Sequence, residues 1–382
     1  MRPQRGNTGF PLFPYIRMIP MAATRIDINQ FLELTNQHPV LDVRSPGEYN
    51  HAHLPNAVSL PLFTDEERKV VGTTYKQQSR ESAIKIGLDY FGPKMRRMVE
   101  EAETILADHS TKKTNSSSSD ARTILVYCWR GGMRSGAVSW LLDLYGFKVY
   151  TLAGGYKKFR NLVLESFKKP YPFQILGGYT GSGKTELLHK LQQQGETIID
   201  LEGIASHKGS AFGNIGMPQQ PTQEMFENLL SLELQKTTEN PSSPVWLEDE
   251  SQRIGLINIP GEIWKNMRQS PVYFLDIPFE ERLKHITEEY GQLDKEKLLG
   301  AIDRIKEKLG GLNAKNATQL LNEGNTLESF RILLKYYDKY YWKGLHNREN
   351  VNSLLYTVDC KSVTVENAIP LLQFSGKKPE TR

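Results

Sequence analysis

The chain reads as an α/β protein: two parallel-sheet domains in series, the second continued by a helical C-terminal region. Three observations carry that reading. From Ile26 to Leu275, short apolar runs bounded by turn residues alternate with segments of helical periodicity, the pattern of strand–helix–strand units. The run Ile124–Tyr127 delivers a cysteine into the loop Cys128-Trp129-Arg130-Gly131-Gly132-Met133-Arg134-Ser135, which opens a helical segment. The run Phe173–Leu176 leads into Gly178-Tyr179-Thr180-Gly181-Ser182-Gly183-Lys184-Thr185, a complete G-x-x-x-x-G-K-[ST] motif between a strand and a helix.

Length and composition set the bounds. The 382 residues suffice for two or three domains, and 38% hydrophobic with 24% charged residues describes a soluble globular protein. The two cysteines, Cys128 and Cys360, cannot build a disulfide framework, so a reducing, cytoplasmic setting is expected. No apolar run is long enough to span a bilayer, and no membrane partner is expected. Residues 1–23 hold Arg2, Arg5, Arg17, Gly6, Gly9 and several prolines but lack the apolar stretch of a secretory signal, so they are expected to form a disordered extension. A net charge of +4 permits a polyanionic partner without requiring one.

The first domain is placed over residues 24–166. Ile26–Leu34 reads as a short helix, Val40–Arg44 as a buried strand with a charged end, Ser45–Tyr49 as a turn entering a helix, and Val58–Leu60 as another strand. His51 and His53 show no metal-ligand spacing and read as structural. Asp65 to Arg80 is a polar insertion, basic in its second half, where Lys76 and Arg80 are candidates for RNA contact against the plainer reading of a solvated helix. Thr111–Asp120 is a low-complexity serine loop. After the cysteine loop, Ala137, Val138, Leu141, Leu142 and Tyr145 form one helical face, which Gly146 stops.

A cysteine at a strand-to-helix turn lies near converging backbone N–H groups and the positive end of a helix, and both favour the thiolate. Gly131 and Gly132 allow a tight turn, with Trp129 and Ser135 as supporting loop residues, and Arg130 and Arg134 can hold an anion beside the sulfur. The sulfur is expected to open toward that anion. The alternative is a buried structural cysteine.

Leu41-Asp42-Val43-Arg44, Glu48-Tyr49, His53-Leu54-Pro55-Asn56-Ala57 and the closing stretch Phe147–Tyr156 resemble the rhodanese fold, with Cys128 where that family carries its nucleophile. The resemblance implies a chalcogen carried on the cysteine. The C-x5-R spacing of Cys128 and Arg134 is also that of cysteine phosphatases, and spacing alone does not separate the two.

The second domain is placed over residues 167–290. In the G-x-x-x-x-G-K-T loop, Gly178, Gly181 and Gly183 let the backbone, with Thr180 and Ser182, wrap a phosphate chain, Lys184 supplies a point charge, and Thr185 can reach a magnesium ion. Leu187, Leu188 and Leu191 continue as a helix that Gly195 closes. Thr197–Leu201 is a strand, followed by a glycine-rich loop whose His207 and Lys208 suit an anionic ligand or RNA. Val245–Ser251 is a strand ending in acids, of which Glu248 or Asp249 is expected to serve the phosphate site, Asp249 with Thr185 through magnesium. Capping is the other reading of those acids. Residues 291–382 read as helical, and Tyr340, Trp342 and Lys343 in the aromatic-lysine stretch are candidates for stacking on RNA against plain packing.

Several stretches together resemble one family, the bacterial tRNA 2-selenouridine synthases, also called geranyl-2-thiouridine/selenouridine synthases. They are Leu60-Pro61-Leu62 with Asp65-Glu66-Glu67-Arg68, Tyr75-Lys76-Gln77-Gln78, the Cys128 loop, Leu201-Glu202 with Gly209–Gly213, and Trp246–Ser251. The resemblance implies a rhodanese-like domain joined to a P-loop domain. Its implied substrate is tRNA, through an anticodon stem-loop carrying 2-thiouridine at the wobble position. It implies selenophosphate and geranyl diphosphate as co-substrates, an S-geranyl intermediate, and a selenophosphate-producing enzyme as a partner. Whether ATP or GTP enters the P-loop stays open. So do two other classes: a cysteine phosphatase or sulfurtransferase coupled to a nucleotide-binding domain, and a non-catalytic RNA-binding adaptor.

Overall fold

The computed structural model describes residues 23–111, 122–237 and 243–375; apart from Ala23 and Thr111, the expected N-terminal extension and serine loop lie outside them. The described residues form two compact units, residues up to 49 with 56–158, and residues 50–55 with those from 159 onward.

The first unit holds β1 (Thr24–Ile26), β2 (Val40–Asp42), β3 (Val58–Ser59), β4 (Thr123–Tyr127) and β5 (Lys148–Leu152) in one parallel sheet of order β1-β5-β4-β2-β3. All five residues of β4 are buried, which is why this central strand is a continuous apolar run and not an alternating one. Leu41, Ile124 and Val126 pack with Val138 and Leu142 of the helix Met133–Leu144. A buried ion pair crosses this core: Arg44 donates to Asp42 at 2.6 Å, the Tyr127 hydroxyl donates to Asp42 at 2.7 Å, and the Arg44 guanidinium lies 3.9 Å from the Tyr156 ring centroid. Removing one partner of such a pair costs about 3–5 kcal/mol, so this stretch is scaffold. Where the sequence reads a helix from Ile26, the chain first makes β1; Asp27 then caps the helix Ile28–Thr35 by accepting from the N–H groups of Asn29 and Gln30. The insertion is the helix Asp65–Gln77, opened by a reciprocal Thr64–Glu67 cap and followed by the helix Arg80–Phe91.

The second unit holds β6 (Phe173–Gly178), β7 (Thr197–Ile199), β8 (Val245–Glu248), a small hairpin of β9 (Arg253–Ile254) and β10 (Ile257–Asn258), β11 (Val272–Asp276) and β12 (Leu355–Asp359). The main sheet is parallel, in the order β12-β11-β6-β8-β7. β6 is central, so the loop after it leaves from the carboxyl edge, where open α/β sheets bind ligands. The helices Phe279–Tyr290, Lys295–Leu309, Gly311–Asn322 and Thr326–His346 share a second core built on Leu283, Ile302, Ala317, Phe330 and Leu333. The helical reading of residues 291–382 holds to His346 and misses β12. That strand's partner, β11, lies about 80 residues earlier, and pairing at that separation leaves no local signature.

Candidate functional site

Cys128 follows β4, and the helix Met133–Leu144 starts five residues later. The loop between them is clamped by the turn after β5. The N–H of Tyr156 donates to the Cys128 carbonyl at 2.9 Å and that of Lys157 to the Trp129 carbonyl at 3.0 Å. Two glycines make the clamp possible. Gly131 (φ +63°) and Gly155 (φ +59°) are left-handed, and a Cβ on them would lie 2.4 Å from the Leu152 oxygen and 2.3 Å from the Cys128 oxygen. Gly132, expected to matter equally, has φ −113° and open space where a Cβ would go. Trp129 rests on Tyr156, ring centroids 5.8 Å apart.

The sulfur is less open than the sequence leads one to expect. Cys128 is 3% exposed, and its stem is part of the apolar core. Its polar side faces the loop: Sγ donates to the Ser135 hydroxyl at 3.2 Å, and that hydroxyl donates to the Gly132 carbonyl at 3.1 Å. Burial pushes the thiol up, but Ser135, the N–H groups of Gly132 and Ser135 and the charge of Arg134 outweigh it, leaving the thiol below its usual range. Arg134 is turned to Glu48, donating to Oε2 at 2.7 Å. Arg130 is exposed and makes no polar contact with the sulfur among the described residues.

In the second unit the loop Gly178–Thr185 is held from both ends. Gly178, Gly181 and Gly183 have φ of +150°, +80° and +66°, the last two left-handed. Ser182 donates to the Tyr179 carbonyl at 2.6 Å, and Thr180 presents its carbonyl to Arg282 at 3.0 Å. Lys184 donates to the Gly178 carbonyl at 3.1 Å, and the Thr185 hydroxyl donates to Glu202 at 3.0 Å. The acids do not fall as the sequence suggests. Glu248 is fully buried and accepts the N–H of Leu201 at 3.1 Å, away from the loop; burial, with Asp200 and Glu202 nearby, pushes its carboxyl well up. Asp249 accepts from the Tyr341 hydroxyl at 2.8 Å and pairs with buried Arg348, so it is not brought to Thr185. Glu202 and Glu250 face the loop instead. They are hydrogen-bonded to each other, and burial raises both carboxyls against the pull of Lys184. Such a pair retains a proton.

These residues border a cavity of about 590 Å³. Gly181–Thr185 form its polar end. Phe212, Ile286, Tyr290, Phe330, Leu333 and Leu334 form an apolar wall. Lys208 lies inside it, paired with Glu289. His207 has no face to offer an RNA: it is 8% exposed, packed beneath Gly213. Lys76, Arg80, Tyr340, Trp342 and Lys343 are exposed, and Trp342 lies tilted against His346, ring centroids 3.7 Å apart. Tyr341 was not singled out by sequence. Its hydroxyl also accepts the N–H of Gly178 at 3.0 Å, joining the helix Thr326–His346 to the phosphate loop. Nor was Arg282, which is 3% exposed and paired with Asp338 at 2.8 Å.

Comparison with known proteins agrees with both halves. Residues 27–162 match the family model of the rhodanese-like domain, and residues 171–364 match that of the tRNA 2-selenouridine synthase AAA domain. A tRNA 2-selenouridine synthase of Nitrosomonas europaea is 33% identical over 81% of this chain and 88% of its own length. One from Sulfurovum sp. is 34% identical over 80% and 88%, and one from Pseudomonas putida 33% over 78% and 83%. With that agreement along both domains, the chain belongs to the tRNA 2-selenouridine synthase family.

Proposed function

We propose that the protein replaces the sulfur of wobble 2-thiouridine in tRNA by selenium from selenophosphate, through an S-geranyl intermediate, with Cys128 as chalcogen carrier and the Gly178–Thr185 loop as diphosphate site. The cavity of the second unit is the observation that carries the reading. A phosphate loop and an apolar wall share one space of about 590 Å³, within the usual range for small-molecule sites. A prenyl diphosphate needs that combination: N–H groups and Lys184 for the charged head, Phe212, Tyr290 and Phe330 for the hydrocarbon tail.

In this scheme the thiouridine sulfur attacks the first carbon of the prenyl chain as the carbon–oxygen bond breaks. The diphosphate leaves with the electron pair, which the loop N–H groups and Lys184 stabilise. The alkylated sulfur is then the leaving group: selenium, at the selenide level once its bond to phosphorus breaks, bonds to the base carbon as the carbon–sulfur bond breaks and the geranyl thiolate departs with the electron pair. Thr185 and Glu202, hydrogen-bonded to each other, would hold a magnesium ion beside a diphosphate once the Glu202–Glu250 proton is lost. Such an ion would neutralise charge on the leaving group. Among RNA candidates, the exposed Lys76, Arg80, Tyr340, Trp342 and Lys343 remain for the tRNA.

Two variants test this, read by nucleoside mass spectrometry of tRNA. Cys128→Ala is expected to lose 2-selenouridine while S-geranyl-2-thiouridine persists. Lys184→Ala is expected to lose both and to weaken inorganic pyrophosphate binding. Geranylation at wild-type rate in Lys184→Ala would remove the P-loop from the prenyl step, and selenouridine at wild-type level in Cys128→Ala would remove the carrier role.

A further inference from the structure

The insertion Asp65-Glu66-Glu67-Arg68 has so far only a place in the fold. Each of its charged residues except Glu66 is spent on a defined contact. Asp65 accepts the N–H of Gly47 at 3.0 Å, tying the insertion helix to the first turn of the helix Pro46–His51. Glu67 caps its own helix by accepting the N–H of Thr64 at 2.9 Å and pairs with Lys94. These ties fix the first turn of the helix, and with it Arg68. Its Nε lies 3.1 Å from Glu48 Oε2 as an ion pair, without the alignment of a hydrogen bond. Arg134, the arginine of the cysteine loop, donates to the same oxygen at 2.7 Å. That oxygen also accepts the N–H and the hydroxyl of Ser45, each at 3.2 Å.

One carboxylate oxygen thus gathers two guanidinium groups, and these three side chains sum to one positive charge. Glu48 is 15% exposed and cannot swing away cheaply, because backbone and side chain of Ser45 hold it. Arg68 is 51% exposed, and its guanidinium donates no hydrogen bond among the described residues, its two terminal nitrogens included. Those two nitrogens form the edge that grips an oxyanion in bidentate fashion. Arg134 acts on the Cys128 sulfur through its charge, so the second arginine lies one carboxylate away from the nucleophile's own partner.

We infer that Arg68 and Arg134 form a paired site for a small tetrahedral oxyanion at the Cys128 loop, with Glu48 as the residue that positions both. The ligand class is a phosphate-bearing chalcogen donor, whose anionic half the pair holds beside the sulfur. This deepens, and rests on, the reading of Cys128 as nucleophile toward an anionic donor. It also gives the insertion a purpose: it carries a second arginine to a loop that supplies one.

The test compares wild type, Arg68→Ala and Arg68→Lys as full-length protein. Alkylation of Cys128 by iodoacetate and by iodoacetamide is followed at the Cys128 peptide by mass spectrometry. The ratio of the two rates cancels access and thiolate fraction and reports the positive field. It is expected to fall about threefold or more in Arg68→Ala, to be kept in Arg68→Lys, and to converge between variants in ~1 M salt. Inorganic phosphate is expected to protect Cys128 in the wild type and several-fold less in Arg68→Ala. A ratio and a phosphate protection equal to the wild type's in Arg68→Ala would overturn the inference and leave Arg68 a surface ion pair. Neither measurement uses selenium. A lowered ratio with undiminished selenouridine formation would therefore support the anion site while counting against selenium delivery through it.

Discussion

Replacing Ser135 by alanine removes the one side-chain hydrogen bond to the Cys128 sulfur among the described residues and leaves the backbone N–H groups of Gly132 and Ser135 in place. In the thiol form the sulfur donates to the hydroxyl; on ionisation the hydroxyl turns from the Gly132 carbonyl and donates to the thiolate. The Gly132 carbonyl still accepts the N–H of Gly136 at 2.9 Å, and an S–H is only a weak donor, so the loss falls mainly on the charged form. A hydrogen bond to a charged group is worth about 1.5 kcal/mol at the low end, which corresponds to about tenfold less thiolate below the titration midpoint. The thiolate that remains is more basic and so about threefold more reactive. The pH–rate profile for iodoacetamide at the Cys128 peptide should therefore shift to higher pH. It should run about threefold below wild type at its acid end and about threefold above at its plateau. Two profiles that cross are the signature; loss of access would lower both ends together. A midpoint that stays at the wild-type pH would refute the assignment of the lowered thiol to Ser135.

Three further outcomes are expected. Gly155→Ala must force a left-handed backbone and drive a Cβ into the Cys128 oxygen, so it should cost at least about 2 kcal/mol and slow Cys128 alkylation, whereas Gly132→Ala, with open space, should stay within about 0.5 kcal/mol by urea unfolding. Asp249→Asn leaves Arg348, 1% exposed, without its counter-charge and should destabilise by about 3–5 kcal/mol; Glu202→Gln should keep the fold and weaken magnesium-dependent pyrophosphate binding by calorimetry. Glu48 is held at about 2 by Arg134, Ser45 and Arg68 despite its burial, against an ordinary 4.5. Its folded value is depressed, so its contribution, of order 3 kcal/mol, is present above about pH 4.5 and lost as pH falls toward 2. Hydrogen exchange of the β4 amides should show that loss in the wild type and not in Glu48→Gln.

Both nucleotide-scale motifs were legible before any coordinates because each is local. A phosphate loop must be a strand, a glycine turn and a helix in immediate succession, and Phe173 to Gln193 supplies all three within one stretch. The cysteine loop is likewise contained between β4 and the helix Met133–Leu144. Element order, parallel sheets and the place of the cysteine loop follow from periodicity, glycine placement and family likeness along the chain.

What folding alone decided is which distant groups meet. Three consecutive acids, Glu248, Asp249 and Glu250, are equivalent in sequence; only their alternating directions at the end of β8 send one into the core, one to Tyr341 and Arg348, and one to the P-loop cavity. Tyr341 reaches Gly178 across more than 160 positions, and Glu48 meets Arg134 across more than 80. Side-chain partnership at such separations is set by how sheets and helices stack, and composition and spacing carry no record of it.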